Sequence, residues 1–444
     1  MSKQIFGTDG VRGTVGANPM TVDFTMRLAS AAAQVLVPEG GTVVIGKDTR
    51  LSGYMFESAL EAGFVAAGAD VLLIGPLPTP GIARLTQEFE ADLGVMISAS
   101  HNPYDDNGIK FFDRSGSKLC DDIEREIEKH LKRPAITRES SGLGKAKRID
   151  TARIRYQDFC ASTFPDELSL EGVKVVFDGA NGAGYKVGPR TIANLGAEVI
   201  PIGCSPNGRN INDGCGSTSP EFLQLTVPAV KADVGLALDG DGDRVVMVDE
   251  NGELIDGDQL LYILATARQR DGRLHGPVVG TVMSNLGLEH ALGEANIEFC
   301  RARVGDRYIL EKLKETGGTI GGETSGHMIV LDQTTTGDGL ICALQVLAVM
   351  KQTGKRLSEL VSGMPKYPQT MVNVRTDNRF DPDASPAIQD AVLAAENELA
   401  ETGRVVLRAS GTEPVIRVMV EGEDEDKVVA LAKRLAEVVT EAAA

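Results

Sequence analysis

No CxxC pair occurs among the six cysteines, Cys120, Cys160, Cys204, Cys215, Cys300 and Cys342, which are scattered along 444 residues. Thiols so dispersed argue against a disulfide scaffold and suit a reducing compartment. Nor is there an excess of basic residues. Lys and Arg number 45 against 63 Asp and Glu, which leaves a formal net charge of −18. A field of that sign repels nucleic acid and anionic membrane, so neither is expected as a partner. No apolar run is long enough to span a bilayer, and Met1-Ser2-Lys3-Gln4-Ile5-Phe6-Gly7 lacks the apolar stretch of a signal peptide. A cytoplasmic protein is the expectation.

An acidic chain that binds a phosphorylated ligand must gather its cations locally, so small Arg/Lys/Gly/Ser clusters matter more here than basic stripes. Glycine is abundant, at 50 residues. Many glycines follow apolar runs, where tight loops meet ligands in α/β proteins. The length exceeds what one core organises, so several domains are expected.

Three stretches repeat a strand, a Gly-containing loop, a helix and a second strand. The first has strands at 42–45 and 71–74 around the loop Gly46-Lys47-Asp48-Thr49-Arg50 and a helix near 54–67. The second has strands at 173–177 and 199–202 around a loop over 178–184 and a helix to about 195. The third has strands at 278–282 and 297–301 around Ser284-Asn285 and a helix over 286–294. Short strands alternating with helices predict α/β units with buried parallel pairing. The tail reads differently: helix 385–400, strand 405–407, a loop, strand 415–420 and helix 426–442. The stretch Gly363-Met364-Pro365 is a plausible linker into this smaller α+β unit. The expected domains are 1–155, 156–254, 255–365 and 366–444.

Four short segments carry the chemistry. In Ile97-Ser98-Ala99-Ser100-His101-Asn102-Pro103 a strand feeds a polar turn, which exposes Ser100 at a strand end. A Ser/His hydrolase is a rival, but the G-x-S-x-G elbow is absent and a base adjacent in sequence is poorly placed for a triad. Asp239-Gly240-Asp241-Gly242-Asp243-Arg244 follows the apolar run 234–238. Three carboxylates at alternate positions repel unless a cation bridges them, and intervening glycines let their oxygens converge. Hard oxygen ligands favour Mg²⁺ or Ca²⁺ over zinc. A calcium helix–loop–helix is disfavoured, because its sixth position holds Arg244 and an apolar strand follows at 245–248.

In Gly321-Gly322-Glu323-Thr324-Ser325-Gly326-His327, Glu323 and Ser325 can hydrogen-bond vicinal polar groups of a sugar. In Arg408-Ala409-Ser410-Gly411-Thr412-Glu413-Pro414, with Arg417 following, a guanidinium, hydroxyls and loop N–H groups make a phosphate cradle. Taken singly, each segment also reads as an ordinary polar turn. The loop 179–184 lacks G-x-G-x-x-G spacing, so a dinucleotide site has little support. Together the four segments suit phosphoryl transfer, where catalysis is mainly positioning and charge neutralisation.

The segments 98–103, 239–244, 322–327 and 408–414 match, in order and spacing, the four signatures of the α-D-phosphohexomutase family, which the sequence resembles along essentially its whole length. The resemblance implies three topologically similar α/β domains with mixed sheets and a smaller C-terminal α+β domain, arranged around a central cleft. It implies Ser100 as a phosphoserine. One Mg²⁺ per subunit would be held by Asp239, Asp241 and Asp243 with the serine phosphate. It further implies a hexose 1,6-bisphosphate as activator and intermediate, a phosphosugar substrate, and admits a homodimer. Arg244, Glu323, Ser325, His327, Arg408, Ser410, Gly411, Thr412 and Arg417 become expected substrate contacts.

Arg12, His101 and Lys110 are the expected charge and proton handlers, with Lys110 a candidate base if burial near a metal lowers its pKa. A non-catalytic phosphosugar sensor would need neither Ser100 nor a complete metal loop. Phe6-Gly7-Thr8-Asp9-Gly10-Val11-Arg12-Gly13, Thr334-Thr335-Thr336-Gly337-Asp338-Gly339 and Tyr367-Pro368-Gln369 resemble the branch that works on glucosamine phosphates. Thr324 departs from it, since that branch typically carries Gln there and the mannose and glucose phosphate branches Met.

Overall fold

The computed structural model describes residues 5–7, 9–376, 380–409 and 415–443, with the side chains of Asp383 and Glu401 excepted. Four sheets account for the strands. The first has six strands, in the order Val11–Thr14, Asp106–Asp113, Leu93–Ile97, Thr42–Lys47, Asp70–Pro76 and Ala146–Arg148. The last four of these run parallel, and the first two are added antiparallel at one edge. The second sheet is ordered Leu254–Ile255, Val245–Val248, Val234–Leu238, Lys174–Asp178, Glu198–Ile202, and the third Phe299–Ala302, Val278–Thr281, Ile320–Gly322, Met328–Val330. Both are mixed in the same way, parallel on one side and closed by an antiparallel pair.

The expected α/β repeats are present. Thr42–Lys47, the helix Leu51–Ala66 and Asp70–Pro76 form the first; Lys174–Asp178, Val187–Asn194 and Glu198–Ile202 the second; Val278–Thr281, Leu286–Glu294 and Phe299–Ala302 the third. Leu93–Ile97 and Val234–Leu238 are buried at every position, as central strands covered on both faces must be, which is why they read as unbroken apolar runs. Both end in the loops that carry Ser100 and Asp239.

A single apolar cluster runs through all three units, from Val44, Ile82 and Phe112 to Phe177 and Leu236 and on to Leu264 and Leu347. The helix Gly339–Thr353 lies in that cluster and is buried from Gly339 to Val349, so it shows no polar face to set a helical period. Its N-cap Asp338 accepts from Ile341 N–H at 3.0 Å and from the Tyr156 hydroxyl at 2.7 Å, which ties it to the helix Ala152–Ser162.

The C-terminal unit has its own core around Val374, Ile388, Val418 and Leu431. Its antiparallel sheet is ordered Gln369–Arg375, Val415–Gly422, Gly403–Ala409 and is backed by helices Pro386–Leu399 and Glu425–Ala443. The strand Gln369–Arg375 is one that the sequence reading did not assign. The unit is joined to the third by Asn285, which accepts from Tyr367 N–H and donates to Tyr367 O, each at 3.0 Å. Arg404 adds a 2.6 Å bond to Ser284 O.

Candidate functional site

Ser100 is fully buried at the end of Leu93–Ile97, and its Oγ donates to Asp239 Oδ2 at 2.6 Å. Asp239, Asp241 and Asp243 sit in the turn between Val234–Leu238 and Val245–Val248, and a ligand oxygen from each lies within 4.8 Å of the others. All three are buried. Burial, with Asp243 and Asp241 beside it, pushes the Asp239 carboxyl well above the usual carboxylate range. Asp241 Oδ1 and Asp243 Oδ1 are buried and have no hydrogen-bond partner among the described residues. Converging, unpaired carboxylate oxygens of this kind fit a hard divalent cation, whose charge would relieve the repulsion. The two glycines between them answer different needs: a Cβ at Gly240 would lie 2.5 Å from Ser100 O, and Gly242 has φ = +72°.

Lys110 comes from the antiparallel strand Asp106–Asp113, paired to Met96. Its Nζ lies 2.8 Å from Asp241 Oδ2, 2.9 Å from Asp9 Oδ2 and 3.6 Å from Asp243 Oδ2. Burial alone would lower its pKa, as the sequence reading expects, but Asp241, Asp9 and Asp243 outweigh burial and hold it well above the ordinary lysine value. These three carboxylates thus hold Lys110 as an ammonium, with its pKa raised rather than lowered as expected from burial. Burial, reinforced by Arg244 and Arg12, instead lowers the pKa of His101 to about 4, so its imidazole is neutral at physiological pH. Its Nδ1 lies 3.5 Å from Ser100 Oγ. Arg12 pairs with Asp9 and reaches Ala99 O at 3.5 Å.

The loop carrying Glu323, Ser325 and His327 docks on the turn carrying Asp239, Asp241 and Asp243 through a backbone bridge between Arg244 and His327. Gly326 makes this approach possible: its φ is +88°, and a Cβ there would lie 2.0 Å from Val245 O. Ser325 Oγ donates to Glu323 Oε2 at 3.3 Å, and Glu323 Oε1 accepts from Gly305 N–H at 2.8 Å. His327 is buried, with Nδ1 3.7 Å from Asp243 and Nε2 3.7 Å from Asp306. Thr324 directs its hydroxyl to Asp258 Oδ2 at 2.7 Å, which separates it from the Glu323–Ser325 pair.

Arg408 and Arg417 stand directly opposite on antiparallel strands. Two guanidiniums in that register repel unless an anion lies between them. Ser410, Gly411 and Thr412 lie outside the described residues.

Several residues here have no assigned role in the sequence reading. Asp9 binds the ammonium groups of Lys110 and Lys118, and Lys118 also binds Asp306, so one chain of charges links the first unit to the third. Thr79 Oγ1 donates to Asp241 Oδ2 at 2.6 Å. Asp9 lies inside a quoted motif and Arg50 inside a quoted loop, whereas Lys118 and Asp306 belong to no recognisable pattern.

Family models for phosphoglucomutase/phosphomannomutase match in chain order: alpha/beta/alpha domain I over residues 3–137, domain II over 155–252, domain III over 256–367 and the C-terminal domain over 371–438. A phosphoglucosamine mutase from Aeromonas hydrophila is 57% identical over 443 residues, covering 100% of both chains. One from Edwardsiella ictaluri is 55% identical and covers 98% of each. A phosphoglucomutase/phosphomannomutase family protein from Burkholderia thailandensis has the same fold, with TM-score 0.83, 24% identity and coverage of 100% of this chain and 98% of that one. So does an Aspergillus fumigatus N-acetylphosphoglucosamine mutase solved with GlcNAc-6P and magnesium, with TM-score 0.72, 18% identity and coverage of 99% and 96%. Among the described residues no helix is long and apolar enough to cross a membrane. With four family models in order and full-length relatives above half identity, the chain belongs to the phosphoglucomutase/phosphomannomutase family of phosphohexomutases and, within it, to the phosphoglucosamine mutases, isomerases of the intramolecular phosphotransferase type.

Proposed function

We propose that the chain interconverts glucosamine 6-phosphate and glucosamine 1-phosphate through a phosphorylated Ser100 and a 1,6-bisphosphate intermediate. The observation that carries this reading is the 2.6 Å contact from Ser100 Oγ to Asp239, which sets the hydroxyl against a buried three-carboxylate cluster. Asp239, Asp241 and Asp243 would hold Mg²⁺ with the serine phosphate, and the ion would neutralise charge on the transferring oxygens.

In the first half-reaction the C1 hydroxyl oxygen of glucosamine 6-phosphate bonds to phosphorus as the bond from phosphorus to Ser100 Oγ breaks. The hydroxyl proton passes to the neutral imidazole of His101, 3.5 Å from Oγ, and from there to the departing serine oxygen. The bisphosphate then turns round in the cleft, and its 6-phosphoryl group moves to Ser100 while a proton returns to the sugar O6. Glucosamine 1-phosphate is left.

Lys110 and Arg12 bring positive charge that balances that of the moving phosphoryl group. Glu323 and Ser325 would hold the sugar hydroxyls, with Arg244 and His327 beside them. Arg408 and Arg417, with Ser410, Gly411 and Thr412, would grip whichever phosphate is not reacting, so one site serves both ends of the sugar.

The choice of glucosamine is supported by the name of the 57% identical relative, while Thr324, the departure from that branch, bonds to Asp258 and leaves Glu323 and Ser325 in place. The reading extends to units bounded near 155, 254 and 365, a hexose 1,6-bisphosphate activator, a cytoplasmic location and a homodimer. The test is kcat/KM for the 6-phosphates of glucosamine, glucose and mannose, with Mg²⁺ and a trace of hexose 1,6-bisphosphate. A strong preference for glucosamine 6-phosphate, lost with chelator, is expected. Equal or better turnover of another sugar would overturn the substrate.

A further inference from the structure

Ser100 has φ = +53°, a left-handed conformation that an L-residue other than glycine holds only where its surroundings impose it. Two side chains from different units grip the backbone there. Arg50, fully buried in the loop after the strand Thr42–Lys47 and paired with Asp48, donates from Nη2 to Ser100 O at 3.1 Å and to Asn102 O at 2.5 Å. It also reaches Ser98 Oγ from Nη1 at 3.3 Å. Asn212, from the second unit, donates from Nδ2 to the same two carbonyls, Ser100 O and Asn102 O, each at 3.0 Å.

Asn212 is itself held in place. Its N–H donates to Ala180 O at 2.9 Å, and its own φ is +58°. The metal loop closes over this contact: a Cβ at Gly240 would fall 2.5 Å from Ser100 O and 2.7 Å from Asn212 Nδ2. The carbonyls of Ser100 itself and of Asn102 are thus each bonded from both sides of a domain junction. The bonds from Arg50 belong to the unit that carries Ser100. Those from Asn212 exist only when the second unit, with its carboxylates, is docked.

We propose that Arg50 and Asn212 form a clamp across the two units that fixes the Ser100 backbone, and so its Oγ, in register with the carboxylate cluster. Both are then positioning residues for phosphoryl transfer, acting through Ser100 rather than on substrate. The clamp rests on the phosphoserine reading above. Its leverage comes from the sensitivity of phosphoryl transfer to placement, since a displacement of about 1 Å at the reacting centre can cost about a hundredfold in rate.

Arg50 is buried with its ion pair, so removing it endangers folding, and Asn212 carries the test. Asn212→Gly removes the whole side chain but keeps a residue content at positive φ, whereas Asn212→Ala deletes only the amide and leaves a Cβ at that φ. In both, single-turnover loading of Ser100 from glucose 1,6-bisphosphate, followed by intact mass, is expected to slow about tenfold. The kcat falls with it, and KM for glucosamine 6-phosphate moves by less than about twofold. A loading rate and kcat within about twofold of the unmodified chain in Asn212→Gly would overturn the clamp. So would a raised KM with unchanged kcat, which would make Asn212 a binding residue. If the unmodified chain itself takes up no phosphate on Ser100, the phosphoserine reading fails first and the clamp with it.

Discussion

Ser100 Oγ, at the end of one sheet's central strand, donates at 2.6 Å to Asp239, at the end of the next sheet's central strand. The two residues are 139 positions apart, and the shared apolar core beneath them brings the two strand ends together. Ser100 from one unit and the three-carboxylate cluster from its neighbour meet at that junction. Ser100→Ala is therefore expected to lower kcat by about a thousandfold or more, with no phosphate detected on the chain by intact mass.

Asp239 is crowded by Asp243 and Asp241 in a buried turn; Lys110 pairs with Asp241 and lies 3.6 Å from Asp243, but among the described residues no cation lies within ion-pair distance of Asp239. Asp239→Asn removes one repelling charge. The metal-free variant is expected to unfold at a higher temperature than the metal-free parent at pH 7.5, while catalysis is lost. Mg²⁺ should raise the unfolding temperature of the parent and leave that of the variant nearly unchanged. Scanning calorimetry with and without Mg²⁺ checks both statements.

Arg417 faces Arg408 across two antiparallel strands. Replacing Arg417 by Ala removes one guanidinium of the proposed phosphate grip and one like-charge contact. KM for the sugar phosphate is expected to rise about tenfold or more. Thermal stability without ligand should hold or improve slightly, because the cross-strand repulsion is gone. Steady-state kinetics and a thermal melt of the same preparation measure the two effects.

Asp338 gives a pH dependence with a definite sign. Burial pushes its carboxyl up to about 6, against the bonds from Ile341 N–H and the Tyr156 hydroxyl that favour ionisation. A raised carboxyl contributes stability in full below its unfolded value near 4, and that contribution disappears as pH rises to about 6. The difference is at most roughly 3 kcal/mol. Asp338→Asn keeps an acceptor at the N-cap and does not titrate. Its unfolding temperature relative to the parent should therefore be more favourable at pH 7.5 than at pH 4.5. An unchanged difference between the two pH values would contradict the assignment.

Much of the fold was legible because local pattern and burial agree. Leu93–Ile97 and Val234–Leu238 read as buried strands, and the polar loops after them mark the strand ends where Ser100 and Asp239 lie. Gln369–Arg375 was not legible. Its burial alternates between exposed and half-buried, with only Val374 fully covered, so it offers little apolar signal until Val415–Gly422 pairs with it. The link from Lys118 to Asp306 spans 188 positions and joins residues with no shared motif. Lys110 shows the same limit in its charge. Burial beside a cation site argues for a lowered pKa, and only the positions of Asp9, Asp241 and Asp243 around its Nζ reverse the sign.

The most direct measurement follows one phosphoryl group. The chain, labelled on Ser100 with isotopic phosphate and freed of bisphosphate, is mixed with Mg²⁺ and unlabelled glucosamine 6-phosphate for a single turnover. The expected result is label leaving Ser100 and appearing in glucosamine 1,6-bisphosphate, followed by an isotopically unlabelled phosphate on Ser100. Label that stays on Ser100, or leaves as inorganic phosphate, would contradict a phosphoserine mutase.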